Sequence, residues 1–190
     1  MIPRLASLIV ALLTPAAQDA ADYCPLMAGS TWTYETGDGK PSVMKVIEQT
    51  KVGAQDCWKV TGLAQTYIVS EETWLAASKD GVSIHRFSCK SSNPVAWLKS
   101  PLKKGEKWNQ EVVLGDVKAT FSFEVIGEEA VEVPAGKYAC IKVKTTARDA
   151  EGGAAEFLTW YAKGVGEVKS EFTAGKKMGE RKLKKFETAK

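Results

Sequence analysis

The stretch Lys118-Ala119-Thr120-Phe121-Ser122-Phe123-Glu124-Val125 is apolar at every second position. A period of two is what a strand needs when one face is buried and the other meets water, because successive side chains point to opposite sides. The same alternation recurs on either side of it: in Trp32 and Tyr34, in Trp58 and Val60, in Ala139, Ile141 and Val143, and in Leu158 and Trp160 with Glu156 facing away. Between these runs stand residues that tolerate tight turns, namely Gly37-Asp38-Gly39, Gly53, Asp80-Gly81, Gly115-Asp116, Pro134-Ala135-Gly136, Gly152-Gly153, Gly164-Val165-Gly166 and Gly175. Asp80-Gly81 and Gly115-Asp116 have the composition of two-residue hairpin loops.

Turn signals every 10 to 15 residues or so, with no helical period longer than about two turns, predict an all-β chain. The expected architecture is a large curved antiparallel sheet, half-barrel or barrel-like, of about ten strands with little helix. Pro94 to Lys99 is the one candidate helix, and because it lies between Asn93-Pro94 and Ser100-Pro101 it reads equally as an irregular crossing loop. A sheet of this size has to close, fold into two layers or curl around something, since its apolar face and its edges would otherwise be bare.

The chain opens on Met1-Ile2-Pro3-Arg4, which carries the charge, followed by the apolar run Leu5 to Leu13 and then small residues. That is the plan of a secretory signal peptide. The run stops at Thr14-Pro15, far short of the roughly 20 apolar residues that cross a bilayer. Residues 1–21 therefore read as a leader, with a mature start near Gln18 to Asp22, and residues 22–190 as a single β-rich domain with no transmembrane anchor. A periplasmic or secreted destination follows. With 26 basic and 23 acidic residues the formal charge is only +3, which argues against a nucleic-acid footprint. The basic tail, with Lys176, Lys177, Arg181, Lys182, Lys184 and Lys185, reads as a solvated edge strand that uses lysine to discourage pairing.

Four cysteines, Cys24, Cys57, Cys89 and Cys140, lie beyond the leader. In an exported chain an even number predicts disulfides; the expected pairs are Cys57 with Cys89 and Cys24 with Cys140, one of three possible connectivities. No two of them lie within two to four residues of each other and the single His85 cannot complete a zinc set, so no metal site is expected.

Enzymatic chemistry has little to stand on. His85 is the only imidazole available to activate a nucleophile, and no phosphate loop or dinucleotide fingerprint appears. No catalytic residue and no cofactor are expected. The six tryptophans, Trp32, Trp58, Trp74, Trp97, Trp108 and Trp160, are either core or the lining of a concave face that meets an acyl chain, a sugar or a peptide. Trp32, Trp58 and Trp160 are the candidate ligand contacts.

Four motifs in order add a resemblance. Tyr23-Cys24-Pro25-Leu26 with Gly29-Ser30-Thr31-Trp32-Thr33-Tyr34-Glu35, then Pro101-Leu102-Lys103-Lys104-Gly105-Glu106-Lys107-Trp108, then Val133-Pro134-Ala135-Gly136-Lys137-Tyr138, and finally the run from Trp160 to Lys169 resemble the TapB-like family of exported bacterial proteins and related periplasmic families. The resemblance implies a curved antiparallel sheet akin to the LolA/LolB-like carriers, and it brings no active site with it. Two functions are carried forward. One is a non-enzymatic envelope protein that binds a lipid or other apolar or amphiphilic ligand on a concave sheet face. The other is an envelope assembly protein that offers a sheet edge or an aromatic patch to another protein.

Overall fold

The computed structural model describes residues 19–63, 71–88, 91 and 93–188. Its first element is a 3₁₀ turn, Ala20–Tyr23, followed by β1 (Thr31–Thr36), β2 (Pro41–Val52), β3 (Gln55–Thr61), β4 (Glu72–Ser78), β5 (Gly81–Phe87) and β6 (Val95–Lys99). The second half runs β7 (Lys107–Leu114), β8 (Val117–Val133), β9 (Gly136–Asp149), β10 (Ala154–Ala162), β11 (Gly166–Ala174) and β12 (Lys177–Glu187). The fold is all-β, with twelve strands among the described residues where the sequence suggested about ten. The candidate helix from Pro94 to Lys99 is β6.

All twelve strands form one antiparallel sheet in the order β6-β5-β4-β3-β2-β1-β12-β11-β10-β9-β8-β7, curled into a nearly closed barrel. The two end strands meet through side chains. Ala96 of β6 gives its N–H to Gln110 Oε1 at 2.9 Å and takes the Trp108 indole N–H on its carbonyl at 2.8 Å, while Gln110 Nε2 donates to the Pro94 carbonyl. Gln110 and Trp108 stand in for the missing backbone ladder, and a bridge between Ser91 and Leu114 extends the junction. The edges that would otherwise invite pairing with another chain are thus tied to each other.

The basic tail is not an edge. β12 lies between β1 and β11 and is hydrogen-bonded to both, so its lysines line the outside of a central strand, while Arg181 and Leu183 turn inward and are buried. The sequence reading failed because edge and centre differ in pairing, which composition does not encode.

Bulges shape the curl. β8 shifts register between Val125 and Gly127, and Gly127 takes φ +137, which bends the 17-residue strand so that the tip of the β8–β9 hairpin returns to β12, where Ala135 N–H reaches the Leu183 carbonyl at 2.9 Å. A second bulge lies in the β10–β11 pairing between Trp160 and Tyr161, and the face of β10 turned inward is not the one that the alternation of Leu158 and Trp160 suggested. Phe157, Thr159 and Tyr161 point into the barrel. Glu156, Leu158 and Trp160 share the outward face, because positions two apart cannot be separated by a sheet.

One end of the barrel is plugged by the N-terminal segment. Asp19 caps the 3₁₀ turn, its Oδ1 taking the Ala21 N–H at 3.0 Å and the Ser100 hydroxyl at 3.1 Å, and Ser100 in turn takes the Ala20 N–H at 3.0 Å. Ala20 and Tyr23 are buried. Lys163 pairs with Asp22 at 2.8 Å at the same end.

The expected bridge between Cys24 and Cys140 is not formed. Both are free thiols in different surroundings: Cys24 faces the interior beside Glu167, and Cys140 sits in the β9 ladder, its thiol near the Tyr138 carbonyl at 3.6 Å and next to Glu129. Burial pushes their pKa values up to about 12 and about 11 respectively. Cys57 is also free, in a small apolar cluster with Trp74 and Ala76. Cys89, its expected partner, lies outside the described residues, as do residues 1–18 of the expected leader, whereas Asp19 to Ala21 belong to the plug.

Replacing Gln110 by Ala removes two hydrogen bonds across the junction. The expected loss is about 1–3 kcal/mol in urea unfolding, with faster amide exchange at Ala96 and little change at Val143, in the opposite wall.

Candidate functional site

Inward-facing side chains from β1, β2, β10, β11 and β12 decide what the barrel can hold. Toward the plugged end they pack closely. Trp32, Met44, Val46, Val60, Leu75 and Trp97 surround a cavity of only about 20 Å³, room for about one water. Trp32 is 1% exposed, gives its indole N–H to the Val165 carbonyl at 2.6 Å and stacks on Phe186 with ring centroids 4.9 Å apart.

Toward the other end, where the turns at residues 37–40 and 175–176 lie, there is a cleft of about 340 Å³, within the range of small-molecule sites. Phe157 and Phe172 form its apolar wall, with Met178 beside them, and Arg181 and Ser170 are polar groups in its lining. The two phenyl rings stack with centroids 6.3 Å apart. Phe172 lies flat over Gly179 on the neighbouring strand, where an added Cβ would come within 2.0 Å of the ring. Only a residue without a side chain lets that ring lie down.

Between the two regions sits a buried ion pair. Arg181 Nε and Nη2 meet Glu167 Oε1 and Oε2 at 2.6 and 2.7 Å, the side chains being 5% and 2% exposed. Nε also reaches Ser170 Oγ at 3.2 Å, and the guanidinium lies 4.3 Å from the Tyr34 ring centroid. Tyr34 anchors itself by donating its hydroxyl to the Glu167 carbonyl at 3.1 Å. Burial would pull the Arg181 pKa down, but the Glu167 carboxylate outweighs it and holds the guanidinium above its ordinary value. Burial likewise raises the Tyr34 phenol, so it stays a neutral donor.

The tryptophans singled out in the sequence are scattered. None of Trp32, Trp58 and Trp160 lines the cleft. Trp58 is partly buried against the main core. Trp160 is 3% exposed on the outward face, sandwiched between Lys142 and Lys169 with each ammonium within 4.6 Å of a ring centroid. Trp74 is held the same way by Lys59 and Arg86. These lysine and arginine stems roof large rings on the outside of the sheet. His85 lies 3.0 Å from Ser83 Oγ, and burial lowers its pKa; no group of metal-ligating side chains forms among the described residues.

What the sequence reading missed is the set Phe157, Phe172, Ser170, Glu167 and Arg181. A signal was present: Phe157 and Thr159 alternate with Glu156 and Leu158, and Phe172 alternates with Glu171 and Thr173.

Comparison with known proteins follows the same lines. A profile of the DUF3108-like family matches residues 104–183. Two solved structures share the fold over most of the chain. A Bacteroides fragilis protein described as exported, with a YmcC-like fold, has a TM-score of 0.53 at 18% identity and covers 86% of this chain and 98% of its own. A Parabacteroides distasonis protein described as a lipoprotein has a TM-score of 0.52 at 15% identity and covers 87% and 98%. No curated protein matches the chain. These similarities carry the barrel fold; the TapB-like and LolA/LolB-like relations rest on the sequence motifs alone.

Arg181→Met leaves Glu167 buried without its cation and is expected to cost about 3–5 kcal/mol in urea unfolding. The double substitution Arg181→Met with Glu167→Met should recover most of that loss, because the desolvation of both charges disappears with them.

Proposed function

We propose that this chain is a non-enzymatic exported envelope protein that holds an apolar or amphiphilic ligand in the cleft at the unplugged end of its barrel. The observation that carries the reading is the contrast between the two ends. One is packed down to a cavity of about 20 Å³, and the other keeps about 340 Å³ against Phe157, Phe172 and Met178. Phe172 is 39% exposed, so its ring is reachable from the mouth of the cleft.

Export is supported by the leader-like Met1 to Leu13 and by the descriptions of the two fold relatives. No helix among the described residues is long and apolar enough to cross a membrane. A periplasmic or secreted location fits an open cleft that meets its ligand in the envelope. The ligand contacts proposed are Phe157 and Phe172 rather than Trp32, Trp58 or Trp160. The assembly alternative draws less support, because β6 and β7 are joined to each other through Trp108 and Gln110 instead of offering a free edge.

The test is a titration of the purified protein with N-phenyl-1-naphthylamine, whose fluorescence rises in apolar surroundings. Saturable binding at one probe per chain is expected, weakened about tenfold, equivalent to ~1.4 kcal/mol, by Phe172→Ala in a protein that still unfolds cooperatively. A flat titration, or equal binding by the variant, defeats the proposal.

A further inference from the structure

The lining of the cleft carries information about the head group of its ligand, on the reading that the cleft holds an amphiphile. Arg181 and Glu167 take opposite sides: the arginine lines the open cleft, and the glutamate lines the small cavity at the plugged end. Their pair is neutral overall but directional, with its cation turned toward whatever enters from the mouth. The bidentate contact to Glu167 fixes the guanidinium plane before any ligand arrives.

Donor capacity remains on that cation. A guanidinium carries five N–H groups. Nε and Nη2 are engaged by Glu167 and Ser170, whereas Nη1 meets only the Gly62 carbonyl, at 3.5 Å, beyond the usual hydrogen-bond length of about 2.7–3.2 Å. Ser170 Oγ accepts from Arg181, which leaves its own O–H to donate.

A second observation is independent of the ion pair. Thr159 is 1% exposed, and its hydroxyl is buried with no hydrogen-bond partner among the described residues. It stands on the inward face of β10 directly across from Ser170. Buried hydroxyls are nearly always paired, so an unpaired one across from Ser170, which itself pairs in register with Arg181 on β12, marks a place for an acceptor.

The charges of the rim are consistent with an anion. Asp38 is occupied by the Thr36 hydroxyl and the Lys40 N–H, and Glu180 by Lys169 and Lys182. Lys40 and Lys176 stand exposed on the two turns that frame the mouth, with Lys177 next to them at the start of β12, where they attract negative charge.

The geometry points to a single-chain aliphatic carboxylic acid, bound head-inward. Its carboxylate accepts from Arg181 Nη1, Ser170 and Thr159, and its chain runs outward between Phe157 and Phe172. Glu167 stays on the far side of the guanidinium, so the two carboxylates are separated by the cation they share.

Displacement of N-phenyl-1-naphthylamine by dodecanoate and by 1-dodecanol tests this. Dodecanoate is expected to displace the probe at a concentration about tenfold lower than the alcohol, a preference of ~1.4 kcal/mol. Thr159→Val removes the unpaired hydroxyl at nearly constant shape. It should weaken dodecanoate severalfold and leave dodecanol unchanged, whereas a hydroxyl with only a structural role would leave both unchanged. The preference should vanish in the Arg181→Met, Glu167→Met double variant. Equal displacement by acid and alcohol in the unmodified protein overturns the ligand class while the amphiphile site stands, and so does a folded double variant that still prefers the acid. If the double variant does not fold, the acid-to-alcohol ratio of the unmodified protein and of Thr159→Val decides. If neither the probe nor either amphiphile binds, both readings fall together.

Discussion

The bidentate contact between Arg181 and Glu167 divides the interior of this barrel. On the glutamate side, apolar rings and the N-terminal segment pack until almost no space is left. On the arginine side, the wall opens into the cleft. A charge pair removed from water is tolerated only when its geometry is good and its groups are well partnered, and here Ser170 accepts from Nε while the Tyr34 ring faces the guanidinium. The surrounding strands are held in register by that requirement: β1 contributes Tyr34, β11 contributes Glu167 and Ser170, and β12 contributes Arg181.

Closure is the second constraint. A twelve-stranded sheet with one apolar face cannot stay open in water. It closes without a full backbone ladder, because Gln110 and Trp108 carry side-chain donors and acceptors to the right height on β7 to satisfy Ala96 on β6. The plug at one end follows from closure: a barrel of this width needs filling, and the segment around Tyr23 and Cys24 fills it from the side on which the chain enters.

Much of the fold was legible in the sequence, and less of the site. Strands announced themselves through alternation, as in Phe121, Phe123 and Val125, all buried as that pattern requires. The turns at Gly115-Asp116 and Gly164-Val165-Gly166 fall where glycine placed them. The site was harder because its members are ordinary residues: a phenylalanine in an alternating run, a serine, and an arginine in a lysine-rich tail. Tryptophans offer more area than any of these, yet Trp160 is an outward ring roofed by lysines and Trp32 a hydrogen-bonded core residue.

The amino-acid sequence by itself determined the strand period, the turn positions and therefore the all-β class, since these depend on neighbours a few residues apart. Only the tertiary structure decided which face of β10 is inward, that Cys24 and Cys140 stand apart as free thiols, that β12 is central rather than an edge, and that Arg181 meets Glu167. Each of these is set by strand pairing and bulges that shift register by one residue, and a one-residue shift exchanges inside for outside. Glu167 and Arg181 are 14 residues apart in the chain, and nothing local records that the β11–β12 hairpin turns both of them into the same barrel.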